Sequence, residues 1–524
     1  MRTKQLLEKQ NKDLRIRLEN MAPKHEMRQK DETIKKLQSA IRTLEDSMED
    51  RIRVAVAKAV AEAVAPLREE LAKAHAEIAR LKSIINKDSS NSSKPPSTNG
   101  YKVIPNNRER SGRAQGGQPG HPGHRLSLPE NMDELVAKGQ VERRVKDNTN
   151  GAREYVSRFT IDVETKVIIT EHRFARGEVP EGMQNEVSYG EGIKAQALLL
   201  MNEGIIAHKR LGGIISGMTR NAVNISTGSL QKFQWDFAKQ LTVSGELEAI
   251  KQDLLNGEVM NTDDTTLRTL KKIVYPENTE TDGQPKPPTL ETGEKRSLRA
   301  TLRTHSNQRS TIYTVNPKKD KEGIERDGIL PQYMGVLCHD HESKFFGYGK
   351  ANACCGSHLT RDLKGLAGSF NCSFAESMRK FLLGMNAHKN NDLPREVVAC
   401  DPDRLSGFEA EYDRLLEAGR AELEGLDGLG SNELNAILKR LAGSKDNYML
   451  FMRDYKVPFT NNLAERDLRP EKTKEKVSGL FRSWEGIVNH AKVMSFFSTA
   501  KKRGMDLFDC ICRVMNKSPV FVNA

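Results

Sequence analysis

A narrow apolar stripe runs through the charged first 87 residues. Ile34, Leu37, Ile41, Leu44 and Met48 recur at alternating spacings of three and four, and Leu67, Leu71, Ala74, Ile78, Leu81 and Ile85 repeat the pattern after Pro66. This is the seam of a heptad repeat, and it predicts a helical arm over residues 1–87. So narrow a stripe cannot bury itself, so the expected partner is a second copy in a coiled coil. A helical hairpin folded back near Pro66 is the alternative. The pattern then stops. Residues 88–100 are rich in Ser, Asn and Pro, and residues 101–126 combine Gly and Pro with Arg108, Arg110, Arg113 and Arg125. Residues 88–126 read as a linker whose basic side chains either follow a phosphate backbone or stay solvated.

Residues 157–172 alternate in two short stretches and predict a small β-hairpin within a module at 127–185. From residue 192 the period becomes helical, with Ile193, Ala197, Leu200 and Met201 on one face. A second helix is expected over 208–215, and a third after Ser226 as its cap. With Lys209, Arg210, Arg220 and Lys232 nearby, residues 186–250 fit a helix-turn-helix reader of DNA or a plain helical packing module.

The chemistry lies further on. Residues 258–270 predict a strand that ends near Asp263 and Asp264; 300–305 and 311–315 predict two more, and 321–327 a short helix. Residues 334–340 form a compact apolar run, hence a buried strand, closing on Asp340; 352–355 predict another strand, with a helix from 357. Residues 251–368 read as an α/β core, 369–456 as a mostly helical stretch that resembles the helical insertion of the family named below, 457–505 as the last part of the core with Glu465 at a helix start, and 506–524 as a tail. Singly, each acid reads as a turn or loop residue. Together, carboxylates at the ends of adjacent strands converge, and a helical Glu can close the ring. Three such oxygen donors suit Mg²⁺ or Mn²⁺, and two ions would serve phosphoryl transfer.

Composition sharpens the choice of partner. Lys and Arg number 83 against 71 Asp and Glu, a net charge of +12, which favours a polyanion, nucleic acid before membrane. The charge is uneven. Residues 395–433 hold 11 acids and 4 bases, whereas 466–503 hold ten bases and four acids. Lys472, Lys474, Lys476 and Arg482 are therefore candidate phosphate partners beside Glu465. No apolar run approaches the ~18 residues of a membrane span. The N-terminus lacks a secretory pattern, and all seven cysteines fall between Cys338 and Cys512, so the expectation is a cytoplasmic protein without a disulfide framework. Cys355 and His358 read as packing a strand–helix junction, since a structural zinc needs four ligands and no second pair is near.

These residues carry a resemblance. Val457-Pro-Phe-Thr-Asn-Asn-Leu-Ala-Glu-Arg-Asp-Leu-Arg-Pro followed by Lys476-Val-Ser-Gly-Leu-Phe-Arg resembles the C-terminal signature of bacterial transposases of the insertion sequence 66 family. Asp263-Asp-Thr-Thr-Leu-Arg, Val336-Leu-Cys-His-Asp-His, Cys355-Gly-Ser-His, Asn91-Ser-Ser-Lys-Pro-Pro-Ser and Gly116-Gly-Gln-Pro-Gly-His resemble further motifs of the family, in its order. The resemblance implies a ribonuclease-H-like core in which Asp263, Asp340 and Glu465 are catalytic and hold two Mg²⁺ or Mn²⁺ ions. It places Asp264, where the family usually has Glu, beside the metals with Cys355 and His358, and it makes Arg466 and Arg469 phosphate contacts. It further implies double-stranded DNA as partner (element ends and target), a homo-oligomer, and accessory transposition proteins. Family members often carry a cysteine-rich zinc module after the Gly-Pro linker; residues 127–185 here hold no cysteine, so no zinc is expected there. A nuclease without strand transfer, and a DNA-binding protein with a decayed core, remain as alternatives.

Overall fold

The computed structural model describes residues 2–19, 24–85, 127–148, 150, 153–175, 177–180, 183, 185–270, 298–425 and 428–522. The expected linker at 88–126, with Arg108, Arg110 and Arg113, lies outside the described residues, as does the polar loop before residue 298. The chain divides into two units, Met1–Asn86 and Lys87–Ala524.

The first unit holds α1 (Arg2–Glu19) and α2 (Lys24–Ile85), the latter 62 residues long and running through Pro66. The fold-back near Pro66 is therefore not formed. Where its side chains are described, the stripe stays open to solvent, with Leu44 63% and Leu67 64% exposed.

In the second unit, α3 (Met132–Ala137) precedes a stretch that departs from expectation. Residues 157–172 form no strand, and Val163, Ile168 and Ile169 point into solvent. Alternation predicts a strand only when a ladder partner and a surface to cover are available, and the described residues supply neither. Next come α4 (Glu191–Asn202), α5 (His208–Met218), α6 (Thr227–Val243) and α7 (Glu246–Leu255). Ser226 caps α6 by accepting from the Ser229 N–H at 3.0 Å, as its position predicted.

The sheet follows: β1 (Val259–Thr269), β2 (Leu298–Ser306) and β3 (Thr311–Asn316), then α8 (Lys321–Asp327), β4 (Val336–His339) and β5 (Ala351–Cys354). The order across the sheet is β3-β2-β1-β4-β5. β1–β2 and β2–β3 are antiparallel; β1–β4 and β4–β5 are parallel. β1 does not end at Asp263 and Asp264: it continues to Thr269, because Thr265, Leu267 and Thr269 stay paired with Leu302, Ala300 and Leu298 of β2. Polar, β-branched threonines alternating with a buried leucine keep the ladder going.

Helix α9 (Gly356–Phe370) follows β5, and α10 (Ser373–Asp392), α11 (Pro402–Glu424), α12 (Gly428–Gly443) and α13 (Lys445–Arg453) fill the helical stretch expected at 369–456; together they bury one apolar cluster with β4 and β5. After it come α14 (Asn462–Ser478), α15 (Trp484–Lys502) and α16 (Leu507–Met515).

Two expected boundaries dissolve into the core. Phe233, Phe237 and Leu241 of α6 bury in one cluster with Phe496 and Phe497 of α15, so residues 186–250 pack on the core. Residues 506–522 are likewise no tail. α16 buries Cys510, Ile511 and Val514, and the fully buried Glu246 carboxylate accepts the backbone N–H groups of Val520 and Phe521, each at 2.7 Å. A buried carboxylate requires such donors, and here the chain end supplies them.

Candidate active site

The three predicted acids come from three elements. Asp263 sits in the middle of β1, Asp340 directly follows β4, and Glu465 lies in the first turn of α14. β1 and β4 are parallel with Asn261 opposite Cys338, and continuing that register by two residues sets Asp263 across from Asp340.

Glu465 arrives by a clamp on α14. Ahead of it, the fully buried Asn461 donates its side-chain amide to the Thr262 carbonyl at 2.8 Å and accepts from the Asn261 amide at 2.9 Å; its backbone N–H reaches Cys355 Sγ at 3.1 Å. Behind it, Asp467 accepts from Ser306 (2.7 Å), Thr311 (3.0 Å) and Lys502 (2.7 Å), while its carbonyl accepts from the Tyr313 hydroxyl at 2.6 Å. Asn461 and Asp467 are positioning residues that sequence reasoning passed over, although both lie in the motif that carries the resemblance.

The acids feel one another. Burial, then the charges of Asp340 and Asp264 and, more weakly, Glu465, push the Asp263 carboxyl well above its usual range. Burial also lifts Asp340 to about 7; Glu342 and Asp264 add to this, and Lys319 and Lys344 oppose it. Among the described residues, Asp340 Oδ1 and Glu465 Oε1 are buried oxygens without a hydrogen-bond partner. Repelling carboxylates with orphaned oxygens are a donor set that fits a divalent cation.

Asp264 is occupied differently. Its side chain is fully buried and faces three cations: Arg303, its cross-strand partner on β2, at 3.5 Å, Lys319 at 2.8 Å and Lys344 at 2.6 Å. Arg303 also pairs with Asp327, and Lys344 with Glu342 at 2.6 Å. Lys319, Lys344 and Glu342 escaped the sequence reading; only the closeness of Glu342 to Asp340 hinted at the last.

Cys355 and His358 do reach the site. Their ligand atoms and a carboxylate oxygen of Glu465 all lie within 4.8 Å of one another, with His358 Nδ1 3.6 Å from Glu465 Oε1. Arg361 stands 3.7 Å from the same oxygen.

The basic candidates divide. Arg466, Arg469, Lys476 and Arg482 are exposed. Arg466 and Arg469 line a cavity of about 380 Å³ with Asn202, Pro470, Phe497 and Lys501. Lys472 instead donates to the Thr266 carbonyl, and Lys474 is half-buried with its pKa lowered by desolvation, so both are drawn toward the protein.

Comparison with known proteins now has a site to refer to. Residues 186–489, more than half of the chain, match the Transposase IS66 family. The chain belongs to that family. Residues 8–127 match a family of unknown function, DUF6444. No curated protein matches the chain. Three solved structures share low identity with this transposase-family chain, each at a TM-score of 0.10. The crystal structure of the Mos1 strand transfer complex is 13% identical over 31% of this chain and 54% of that one. A pre-cleavage Mos1 transpososome is 13% identical over 34% and 57%, and a Mos1 transposase paired-end complex with left transposon end 16% over 34% and 56%. The chain thus spans just over half the length of those chains.

The electrostatics predict a pH effect. A carboxyl whose pKa is higher in the folded than in the unfolded state keeps its proton longer when folded. Stability of the metal-free protein then falls as pH rises from 3.8 toward about 7. Asp340→Asn removes that loss. In chelator at pH 8, thermal unfolding of Asp340→Asn is expected roughly 2–4 °C above wild type, with the gap closing near pH 4. A variant no more stable than wild type at pH 8 contradicts the burial of mutually repelling acids.

Proposed function

We propose that this chain is a DNA transposase with a ribonuclease-H-like, Asp-Asp-Glu core that cleaves at the ends of an insertion sequence and transfers the freed strand to target DNA. The observation that carries the reading is the convergence of Asp263, Asp340 and Glu465 from β1, the end of β4 and α14, with unpartnered oxygens on two of them. The sheet order, three antiparallel strands continued by two parallel ones, supports it, as does membership of the family.

In this reading Asp263, Asp340 and Glu465 hold two Mg²⁺ or Mn²⁺ ions. Those ions would activate a water or 3′-hydroxyl and stabilise the leaving oxygen in phosphoryl transfer. The protein's own groups do the positioning. Asn461 and Asp467 fix α14 so that Glu465 meets the strand acids. Lys319 and Lys344, held by Asp264 and Glu342, set a positive wall that tempers the charge on Asp340. Arg466 and Arg469, a helical turn apart and exposed, contact DNA phosphates, with Lys476 and Arg482 beyond them. The open stripe on α2 pairs two copies as a coiled coil, so that two DNA ends are handled by one assembly.

Two experiments test this. In a strand-transfer assay with Mg²⁺, wild type is expected to join element ends to target, and Asp340→Asn to fall by more than about 100-fold, the scale of losing a main electrostatic stabiliser. Hydrolysis without joining would make the protein a nuclease, and DNA binding without chemistry a decayed relative. For the arm, Leu44→Asp with Leu71→Asp is expected to turn a multimer into a monomer by light scattering; an unchanged mass removes the coiled coil from the account.

A further inference from the structure

The junction between β5 and α9 contains more than packing. Cys355 immediately precedes α9, with its side chain fully buried, and His358 lies in the first turn of the same helix. A sulfur and an imidazole three residues apart at a helix start present both donor atoms to one point. The clamp on α14 brings a third donor to that point, the Glu465 carboxylate, and the three ligand atoms lie within 4.8 Å of one another. The sulfur is already held by the Asn461 N–H at 3.1 Å, so its position is set by backbone rather than by a mobile side chain.

Packing alone does not account for the other two atoms. His358 Nδ1 and Glu465 Oε1 face each other at 3.6 Å, beyond hydrogen-bond reach, and both are buried without a partner. A junction built only to exclude water has no reason to leave two polar atoms unsatisfied side by side. A cation between them would satisfy both. Arg361, 3.7 Å from the same oxygen, is the only cation the structure pairs with Glu465 apart from His358 among the described residues.

We propose that Cys355, His358 and Glu465 form a binding site for a thiophilic divalent cation of the zinc class. Sulfur, imidazole nitrogen and a single carboxylate oxygen suit Zn²⁺ or Co²⁺, and they are poor ligands for Mg²⁺, which demands oxygen. Three protein ligands leave a fourth position open. On binding, the Cys355 S–H bond breaks, its proton leaves to solvent, and a metal–sulfur bond forms. The site shares Glu465 with the acids proposed for catalysis, so a zinc-class ion and a catalytic Mg²⁺ would compete for one carboxylate. That competition rests on the Asp-Asp-Glu reading; the Cys-His-Glu site does not.

The test uses the full chain, stripped of metal with a chelator and titrated with Co²⁺. Wild type is expected to develop the near-ultraviolet band of thiolate-to-cobalt charge transfer together with visible bands of low-coordinate cobalt. Cys355→Ser is expected to lose the charge-transfer band, and His358→Ala and Glu465→Gln to keep it with affinity lowered more than about tenfold. Cys354→Ser and Asp263→Asn are expected to keep the charge-transfer band with its wild-type affinity. Asp263→Asn separates the two readings: the band intact in that variant supports this site even if strand transfer never occurs. No charge-transfer band in wild type, or a band that survives in Cys355→Ser or vanishes in Cys354→Ser, overturns the proposal. Because serine is close in size to cysteine, Cys355→Ser is checked by circular dichroism, and His358→Ala supplies an independent arm should it not fold.

Discussion

Carboxylates repel, and this core gathers Asp263, Asp340 and Glu465: burial and the charges of Asp340, Asp264 and Glu465 hold the Asp263 carboxyl well above its usual range, and burial lifts Asp340 to about 7. Only elements that are firmly held can keep like charges together in a low-dielectric site. The strands meet the demand through their parallel register. The helix meets it through Asn461 on one side of Glu465 and Asp467 on the other, each bonded to the sheet. The Asn261–Asn461 contact joins residues 200 positions apart, so the acids are brought together only when the whole core has formed.

The same logic explains how the sheet is finished. β3 lies at its edge, where unpaired N–H groups would otherwise face solvent or another chain. Helix α15 covers that edge with hydroxyls: Ser495 accepts from the Tyr313 N–H at 2.9 Å, and Thr499 both accepts from the Thr311 N–H and donates to the Thr311 carbonyl at 3.1 Å. α15 is also the element against which α6 packs, so the helix that covers the edge also contributes to the largest apolar cluster among the described residues. On α7, the buried Glu246 carboxylate accepts the Val520 and Phe521 N–H groups and so ties residues 520–521 to the core.

Local pattern made much of this legible. The helix at 321–327, the strands near 300–305 and 311–315, and the Ser226 cap follow from short-range rules, and the structure bears them out. The three acids and the Cys355–His358 pair could be named because their spacing carried a family pattern. What escaped was long-range. That Asp264 faces Arg303, Lys319 and Lys344 depends on cross-strand register and on two loops, none of which periodicity encodes. The alternation at 157–172 misled for the complementary reason: a strand pattern has no consequence without a neighbour to pair with. Residues 506–522 looked like a tail because the site that receives them, Glu246, lies more than 250 positions earlier.

The central claim is that Asp263, Asp340 and Glu465 together form one divalent-cation site. Calorimetric titration of the chelator-stripped protein with Mn²⁺ addresses it directly, without DNA or turnover. The account predicts saturable binding of up to two ions by wild type, weakened more than about tenfold by each of Asp263→Asn, Asp340→Asn and Glu465→Gln. Mn²⁺ binding that is absent in wild type, or that all three variants retain unchanged, would contradict it.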